Sequence, residues 1–375
     1  MSRVDVRRIS AADHLAFVER QPSASFLQTP AWGRVKTEWR SESIGWYRDE
    51  TLVGAGLVLY RQLPRIRRFL AYLPEGPVLD WSSPDLASLL DAMTTHIKGQ
   101  AAFGIRMGPP VTTRTWSAGS VKAAIASDAH HRLDDVPPDS TNALGDRVQA
   151  ILRAAGWRAR TGGEGFAAGQ PQFVFQLPLA GRSEVEVLAG MNQLWRRNIK
   201  KAAKEGVDVQ LGAAADLPAF HALYAETATR DGFIPRPLTY FQRMFDAMQA
   251  EDADRLRLYL ATHAGDLVAA TTMVRVGTHA WYSYGASSTA KREVRGSNAV
   301  QWRMIRDALA SGADVYDLRG ITDTLAAEDP HVGLIQFKVG TGGSAVEYVG
   351  EWDLPVNRLL YKAFDLYMSR RSAAG

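Results

Sequence analysis

One order of structural signals occurs twice along this chain, and the repetition limits its fold more than any compositional figure. In the first copy, Gly45-Trp46-Tyr47-Arg48 leads into Asp49-Glu50 and out through Thr51 towards Tyr60, a pattern that predicts a β-hairpin turning at the two acids. A helix from roughly Pro84 to Lys98 and a strand from Phe103 to Met107 follow. In the second copy, Arg257 to Ala261 leads to a turn at Ala264-Gly265-Asp266, then a strand from Leu267 to Val276, a helix near Ser297 to Ala310 and a strand from Val315 to Leu318. Leu52 and Ile105 lie 53 positions apart, and Leu267 and Tyr316 lie 49 apart, so spacing agrees as well as order. A duplicated α+β unit explains this with least assumption. A chain of 375 residues also exceeds one typical core, which favours two domains.

The order hairpin, strand, helix, strand suits the acyltransferase fold of the GNAT class. Such enzymes cradle the pyrophosphate of acyl-CoA with a Q/R-x-x-G-x-G/A loop that opens a helix. The equivalent stretch here, Glu293-Val294-Arg295-Gly296-Ser297-Asn298, keeps one glycine, lacks the leading Arg or Gln in register and ends on Asn. Acyl-CoA is thereby disfavoured, although Arg292 and Arg295 remain as phosphate contacts.

Composition removes several other chemistries. With no cysteine, disulfide frameworks, thiolate catalysis and cysteine metal sites are excluded. The histidines show no metal-ligand spacing, and no metal or bound cofactor is expected. No apolar run is long enough to cross a membrane, and Met1 to Arg7 has no apolar signal-peptide core, so a cytoplasmic location is expected. The net charge of +4 suits an anionic partner without naming one.

Two stretches carry candidate chemistry. Ser183-Glu184-Val185-Glu186 is a capping box. The helix expected after it puts Met191, Leu194, Trp195, Ile199 and Ala202 on an apolar face. Arg196, Arg197, Lys200, Lys201 and Lys204 supply five cations within nine residues and no acid. Solvated faces usually mix signs, so contact with nucleic acid or phosphate competes here with an ordinary surface helix. The second stretch, Ile335-Gln336-Phe337-Lys338-Val339-Gly340-Thr341-Gly342-Gly343, reads as a glycine-rich loop re-entering a sheet. It is not a P-loop, in which the lysine follows the last glycine. A solvated lysine and a cation placed to stabilise developing charge both fit the pattern.

Seven segments in a fixed order give the chain a family resemblance. They are Ser25-Phe26-Leu27-Gln28-Thr29-Pro30-Ala31-Trp32-Gly33, Tyr72 to Val78, Arg196 to Ala202, Arg230-Asp231-Gly232-Phe233-Ile234-Pro235-Arg236, Tyr282 to Ser287, Tyr316 to Ile321 and the Phe337-Lys338 stretch. In these the chain resembles the Fem-type (FemABX) aminoacyl-tRNA-dependent peptidyltransferases, which build peptidoglycan cross-bridges.

The resemblance implies tandem GNAT-like domains without a coiled-coil arm. The first is expected at 1–158 and 349–375, completed by a C-terminal return of the chain, and the second at 159–348. It implies transfer of an amino acid from aminoacyl-tRNA, as co-substrate, to the stem-peptide amine of lipid II or UDP-MurNAc-pentapeptide. A monomer with peripheral contact at the cytoplasmic membrane face is expected. Lys36 and Arg236 would contact the precursor's diphosphate, from one domain each, with Tyr240 and Tyr284 lining the same cleft. Lys338 would stabilise the oxyanion, shielded by Phe337, or hold the tRNA's terminal phosphate or ribose. Members often carry an acid before proline at the end of the first domain's last strand; Arg106-Met107-Gly108-Pro109 lacks it, so no base is named. Aminoacylation of a small metabolite, acyl-CoA-dependent N-acylation, and a binding protein that kept only the fold stay open. Arg61, Arg65, Arg67 and Arg68 among Leu63, Ile66, Phe69 and Leu70 suit anionic headgroups or a plain basic hairpin equally.

Overall fold

Two-residue hairpins need both central residues at positive φ if the turn is to match the right-handed twist of its strands. Both expected hairpins meet that demand, with Asp49 at 46° and Glu50 at 63° in the first, and Ala264 at 50° and Gly265 at 87° in the second. The computed structural model describes residues 4–127, 129–160, 169–329 and 331–373. Its strands are β1 (Val4–Arg8), β2 (Arg40–Arg48), β3 (Thr51–Gln62), β4 (Phe69–Leu73), β5 (Ala102–Met107), β6 (Thr112–Ser117), β7 (Ser140–Thr141) and β8 (Arg158–Ala159). They continue with β9 (Phe173–Pro178), β10 (Asp208–Gly212), β11 (Leu256–His263), β12 (Asp266–Val276), β13 (His279–Ser287), β14 (Val315–Ile321), β15 (Ser344–Tyr348) and β16 (Trp352–Pro355).

The duplication extends to the register. The β2–β3 pair slips at Val53, because Trp46 faces Gly54 and Tyr47 faces Leu52. The β11–β12 pair slips at Val268, because Ala261 faces Ala269 and Thr262 faces Leu267. Each slip falls on the third residue of the second strand. In both copies a helix, Leu86–Gly99 or Gly296–Ala310, then crosses to a parallel partner, giving β4–β5 and β13–β14. The repeat also reaches further back than the sequence signals showed, since β1 and β10 each precede helices that lead into the hairpin.

The first sheet has the order β1-β2-β3-β4-β5-β16-β8 and the second β10-β11-β12-β13-β14-β9-β15-β6-β7. Two compact units follow: Met1–Thr113 with Asn142–Gln172 and Glu347–Gly375, and Arg114–Thr141 with Phe173–Val346. The expected boundaries need correction at two places. Residues 114–141 join the second unit, because β6 and β7 lie at the edge of its sheet and Trp116, Val121 and Leu133 are buried in its core. Ala159, Arg160 and residues 169–172 stay with the first, because β8 pairs with β16 and the Arg160 N–H bonds the Glu351 carbonyl. The C-terminal return is present as β16 alongside β5.

Each unit has its own apolar core. In the first, Trp46, Ile44, Met93, Ile105 and Trp352 are buried between sheet and helices, with the Trp46 indole N–H donating to the Leu89 carbonyl at 2.9 Å. In the second, Phe175, Tyr259, Val300, Met304 and Tyr316 do the same. Among the described residues the longest helix, Arg358–Ala373, has 16 residues, so no coiled-coil arm is present among them.

Candidate functional site

The Lys338 stretch is not a loop. Val332–Val339 is a helix that buries Ile335, Lys338 and Val339 on one side, and Gly340, Gly342 and Gly343 follow it. Those glycines serve packing. A Cβ at Gly340 would lie 2.1 Å from Trp195 Cδ1, at Gly342 2.3 Å from the Gly190 carbonyl oxygen, and at Gly343 2.2 Å from that of Gln176. The close approach that these glycines permit is made by the protein's own backbone and indole.

Lys338 is 3% exposed. Its Nζ donates to the Gly320 carbonyl at 2.6 Å and to that of Arg319 at 3.2 Å. Those carbonyls are irregularly presented because β14 bulges against β9, with Asp317 facing Gln176 and Gly320 facing Val174, and because Arg319 sits at φ 63°. Asp317 fixes the bulge, accepting from the Arg319 N–H at 2.5 Å and from Gln176 Nε2 at 3.0 Å, with His279 Nε2 3.4 Å away. Burial works against the charge on Asp317, yet His279, then Arg319 and Gln176, hold its carboxyl below the usual range. Burial pulls Lys338 down to about 7; Asp317 opposes that shift and Arg319 adds to it. The result is an amine with two fixed acceptors, poised to gain or lose its proton near neutrality.

Phe337 is half-buried against Trp195, with ring centroids 4.7 Å apart, and its carbonyl accepts from the Trp195 indole at 2.8 Å. The basic helix is thereby docked on the Lys338 helix. It begins later than the sequence suggested: the Ser183 capping box forms, but its helix ends at Gly190, Met191 is extended, and Asn192 caps a second helix, Gln193–Lys204. Trp195 and Ala202 are buried as expected, whereas Leu194 is 50% exposed, because restarting the helix turns that position outwards. Arg196 Nη1 donates to the Ala189 carbonyl at 2.8 Å and so closes the preceding helix. Arg197, Lys200 and Lys204 are exposed, and Lys201 is half-buried.

The strands carrying the other candidates diverge. Pairing between β13 and β14 runs only from His279–Val315 to Trp281–Asp317. Beyond it β13 bulges at Ser283 against β12 and β14 bulges at Leu318-Arg319. Tyr284 and Gly320 each lie three residues past the last pair, on the two walls of the opening, and Lys338 is pinned to the Gly320 wall. The Tyr284 hydroxyl is 3.0 Å from that of Tyr240, which is buried in the helix Leu238–Gln249. Arg236 lies just before that helix and is exposed, with its guanidinium 5.4 Å from the Tyr240 ring centre. Arg236, Tyr240 and Tyr284 therefore form one group within the second unit.

Lys36 belongs to the first unit. It ends the short helix Pro30–Val35, with Nζ 5.2 Å from the centre of the Trp32 ring. Its neighbouring motif is structural: Gln28 is fully buried, accepts from Leu57 N–H at 2.9 Å and donates to the Pro74 carbonyl at 2.8 Å.

One group escaped the sequence reading. Glu351 is 8% exposed, accepts from the Tyr72 hydroxyl at 2.5 Å, and is pushed up by burial, against the pull of Tyr72 and Arg106. A Cβ at Gly108 would lie 3.2 Å from Glu351 Cγ. The carboxylate absent before Pro109 is thus supplied at nearly the same place by the returning chain. Its neighbour Asp353 holds Arg106 by two bonds, at 2.8 and 3.1 Å. The missing acid was the only available signal, because its substitute lies 243 positions away.

Two acyltransferase-like sheets, each crossing through a helix to a parallel strand, define a tandem GNAT-like protein. The chain belongs to the FemAB family, whose sequence model matches residues 9–264 and 261–368. It is 24% identical to the Lipid II:glycine glycyltransferase of Staphylococcus aureus (strain MRSA252), over 98% of this chain and 96% of that protein. Among solved structures, that of FemX superposes with a TM-score of 0.81 at 22% identity, covering 96% of this chain and 99% of that one. A tandem GNAT protein from the clavulanic acid biosynthesis pathway superposes with a TM-score of 0.52 at 11% identity, covering 94% and 99%.

Proposed function

We propose that this protein transfers an amino acid from aminoacyl-tRNA to the stem-peptide amine of a peptidoglycan precursor, lipid II or UDP-MurNAc-pentapeptide. The observation that carries the reading is family membership along the whole chain, with lipid II:glycine glycyltransferases aligned over nearly all of it. The amine attacks the ester carbonyl; a C–N bond forms and the carbonyl oxygen becomes an oxyanion. Collapse breaks the ester C–O bond, the ribose hydroxyl of the tRNA leaves, and the amine's proton passes to a base or to that leaving oxygen. Replacing an ester by an amide is downhill, so alignment and charge stabilisation are the enzyme's tasks.

Lys338 is the group for the oxyanion. Two of its N–H bonds are fixed on backbone carbonyls, which aims the third, and a donor of this kind is worth roughly a hundred- to a thousandfold in rate. Phe337 shields it. Lys36 and Arg236 are assigned to the diphosphate, and Tyr240 and Tyr284 to orienting the precursor. Glu351, whose carboxyl is pushed up by burial, is the acceptor assigned to the amine's proton. Arg197, Lys200, Lys201 and Lys204, on the helix docked to Phe337, suit tRNA phosphates; Arg196 is already engaged. Peripheral contact with a membrane face goes with a lipid-linked acceptor.

Incubation with charged tRNA and labelled lipid II, with and without ribonuclease, tests the reading. Transfer abolished by ribonuclease supports it. Transfer that survives ribonuclease and requires acyl-CoA would sink it, and transfer only to small amines would move the acceptor to a metabolite.

A further inference from the structure

The first unit carries a surface that mixes cations with exposed aliphatic side chains. The β3–β4 turn is an ordered tip: Leu63 N–H bonds the Arg68 carbonyl at 2.9 Å, and Arg68 N–H bonds that of Ile66 at 2.9 Å. Leu63 packs beneath it with Leu360, Tyr361 and Met368 of the helix Arg358–Ala373, over Leu70, Phe103 and Phe364. Phe103 and Phe364 lie 5.4 Å apart between ring centres, so tip and helix share one apolar anchor.

That anchoring fixes what faces outwards. On the tip, Ile66 is 45% exposed, between exposed Arg65, Arg67 and Arg68. On the helix, Leu359 is 83% and Leu366 53% exposed, seven residues apart and therefore on one face, with exposed Lys362 between them and Arg358 beside them. Residues 61–70 and 358–368, with half-buried Arg61, hold six cations and one acid, Asp365. Their balance of +5 exceeds the +4 of the whole chain, so all other residues together sum to −1.

We infer that this tip and helix form a docking surface for an anionic phospholipid bilayer. The concentrated positive charge complements anionic headgroups, and Ile66, Leu359 and Leu366 supply aliphatic chains to the headgroup–acyl boundary. Nucleic acid fits less well, because stacking on bases calls for aromatic side chains and, among the described side chains, the most exposed apolar ones here are aliphatic. Among the described residues no helix is long and apolar enough to cross a membrane, so the contact is peripheral.

The full chain is tested by co-sedimentation with vesicles of phosphatidylcholine alone or mixed with phosphatidylglycerol. These contain no precursor, so the outcome is independent of transfer activity. The wild type binds the mixed vesicles at about 0.05 M salt and is released at about 0.5 M. The double variant Arg67→Ser/Arg68→Ser binds them on the order of thirtyfold more weakly, and Leu359→Gln about tenfold more weakly, with unchanged thermal unfolding and unchanged binding of bulk tRNA. Equal binding to neutral vesicles, or variants that bind as the wild type does, overturns the inference. Loss of tRNA binding with vesicle binding retained reassigns the surface to nucleic acid. Both sets of substitutions lie on exposed side chains, so if one variant misfolds the other still decides.

Discussion

Replacing Lys338 by Met removes the one buried amine of the candidate site, and the consequence is a change in how stability depends on pH. Below about 7 the folded and the unfolded chain both hold the Lys338 proton. Between about 7 and the usual 10.5 only the unfolded chain holds it. The unfolded state then binds more protons, so wild-type stability gains from this group as pH rises through that window. The slope approaches about 1.4 kcal/mol per pH unit, and from about pH 7.5 to about 9.5 the wild type gains about 2.5 kcal/mol relative to Lys338→Met. Met fills similar volume but leaves the Arg319 and Gly320 carbonyls without their donor, a loss of about 1–3 kcal/mol each that does not vary with pH. Urea unfolding of both proteins across that range isolates the term, because every other titrating group is shared. Asp317→Asn is the companion variant: it removes the anion that supports the ammonium, so the rise begins at lower pH. A difference between wild type and Lys338→Met that stays flat from pH 7.5 to 9.5 would refute the buried, readily deprotonated amine.

Lys36→Met and Arg236→Met each lower transfer to a diphosphate-bearing acceptor by about ten- to a hundredfold, the value of one charged hydrogen bond. An acceptor lacking the diphosphate should lose nothing further, and equal losses on both acceptors would remove the pair from that role. Glu351→Gln keeps a partner for the Tyr72 hydroxyl and so keeps the fold, while the rise of kcat/KM with pH that follows the carboxylate's deprotonation, read in a pH–rate profile, disappears if the carboxylate accepts the amine's proton. Gly340→Ala forces a methyl into the Trp195 ring and costs about 1–3 kcal/mol in urea unfolding. Gly333→Ala, inside the helix that Gly340 follows, meets nothing within 4 Å and stabilises by up to about 1 kcal/mol, which separates packing from helix propensity.

The two hairpins, the crossover helices and the Ser183 capping box lie where turn chemistry and periodicity put them, because each is decided within a few residues. The Lys338 stretch departs from its local pattern for a related reason. Three glycines in four residues signal a loop, but here they accommodate Trp195, Gly190 and Gln176, which lie far away in sequence. The basic helix starts from Asn192, nine residues after Ser183, because the chain breaks at Met191 and Asn192 caps anew, which depends on how Met191 and Trp195 are buried.

By itself the sequence determined that the chain is a duplicated α+β protein of acyltransferase type, together with the residue types its chemistry has to work with. Those properties reside in short-range patterns that survive any change in distant packing. The tertiary structure decided the states of those residues: that Lys338 is buried against the β14 bulge, that Tyr240 and Tyr284 share a hydrogen bond, that Arg196 is engaged locally, and that Glu351 stands beside Gly108 in place of an absent acid. Burial and charge pairing arise from contacts between segments far apart in the chain, and they set proton affinity and orientation, which no local pattern encodes.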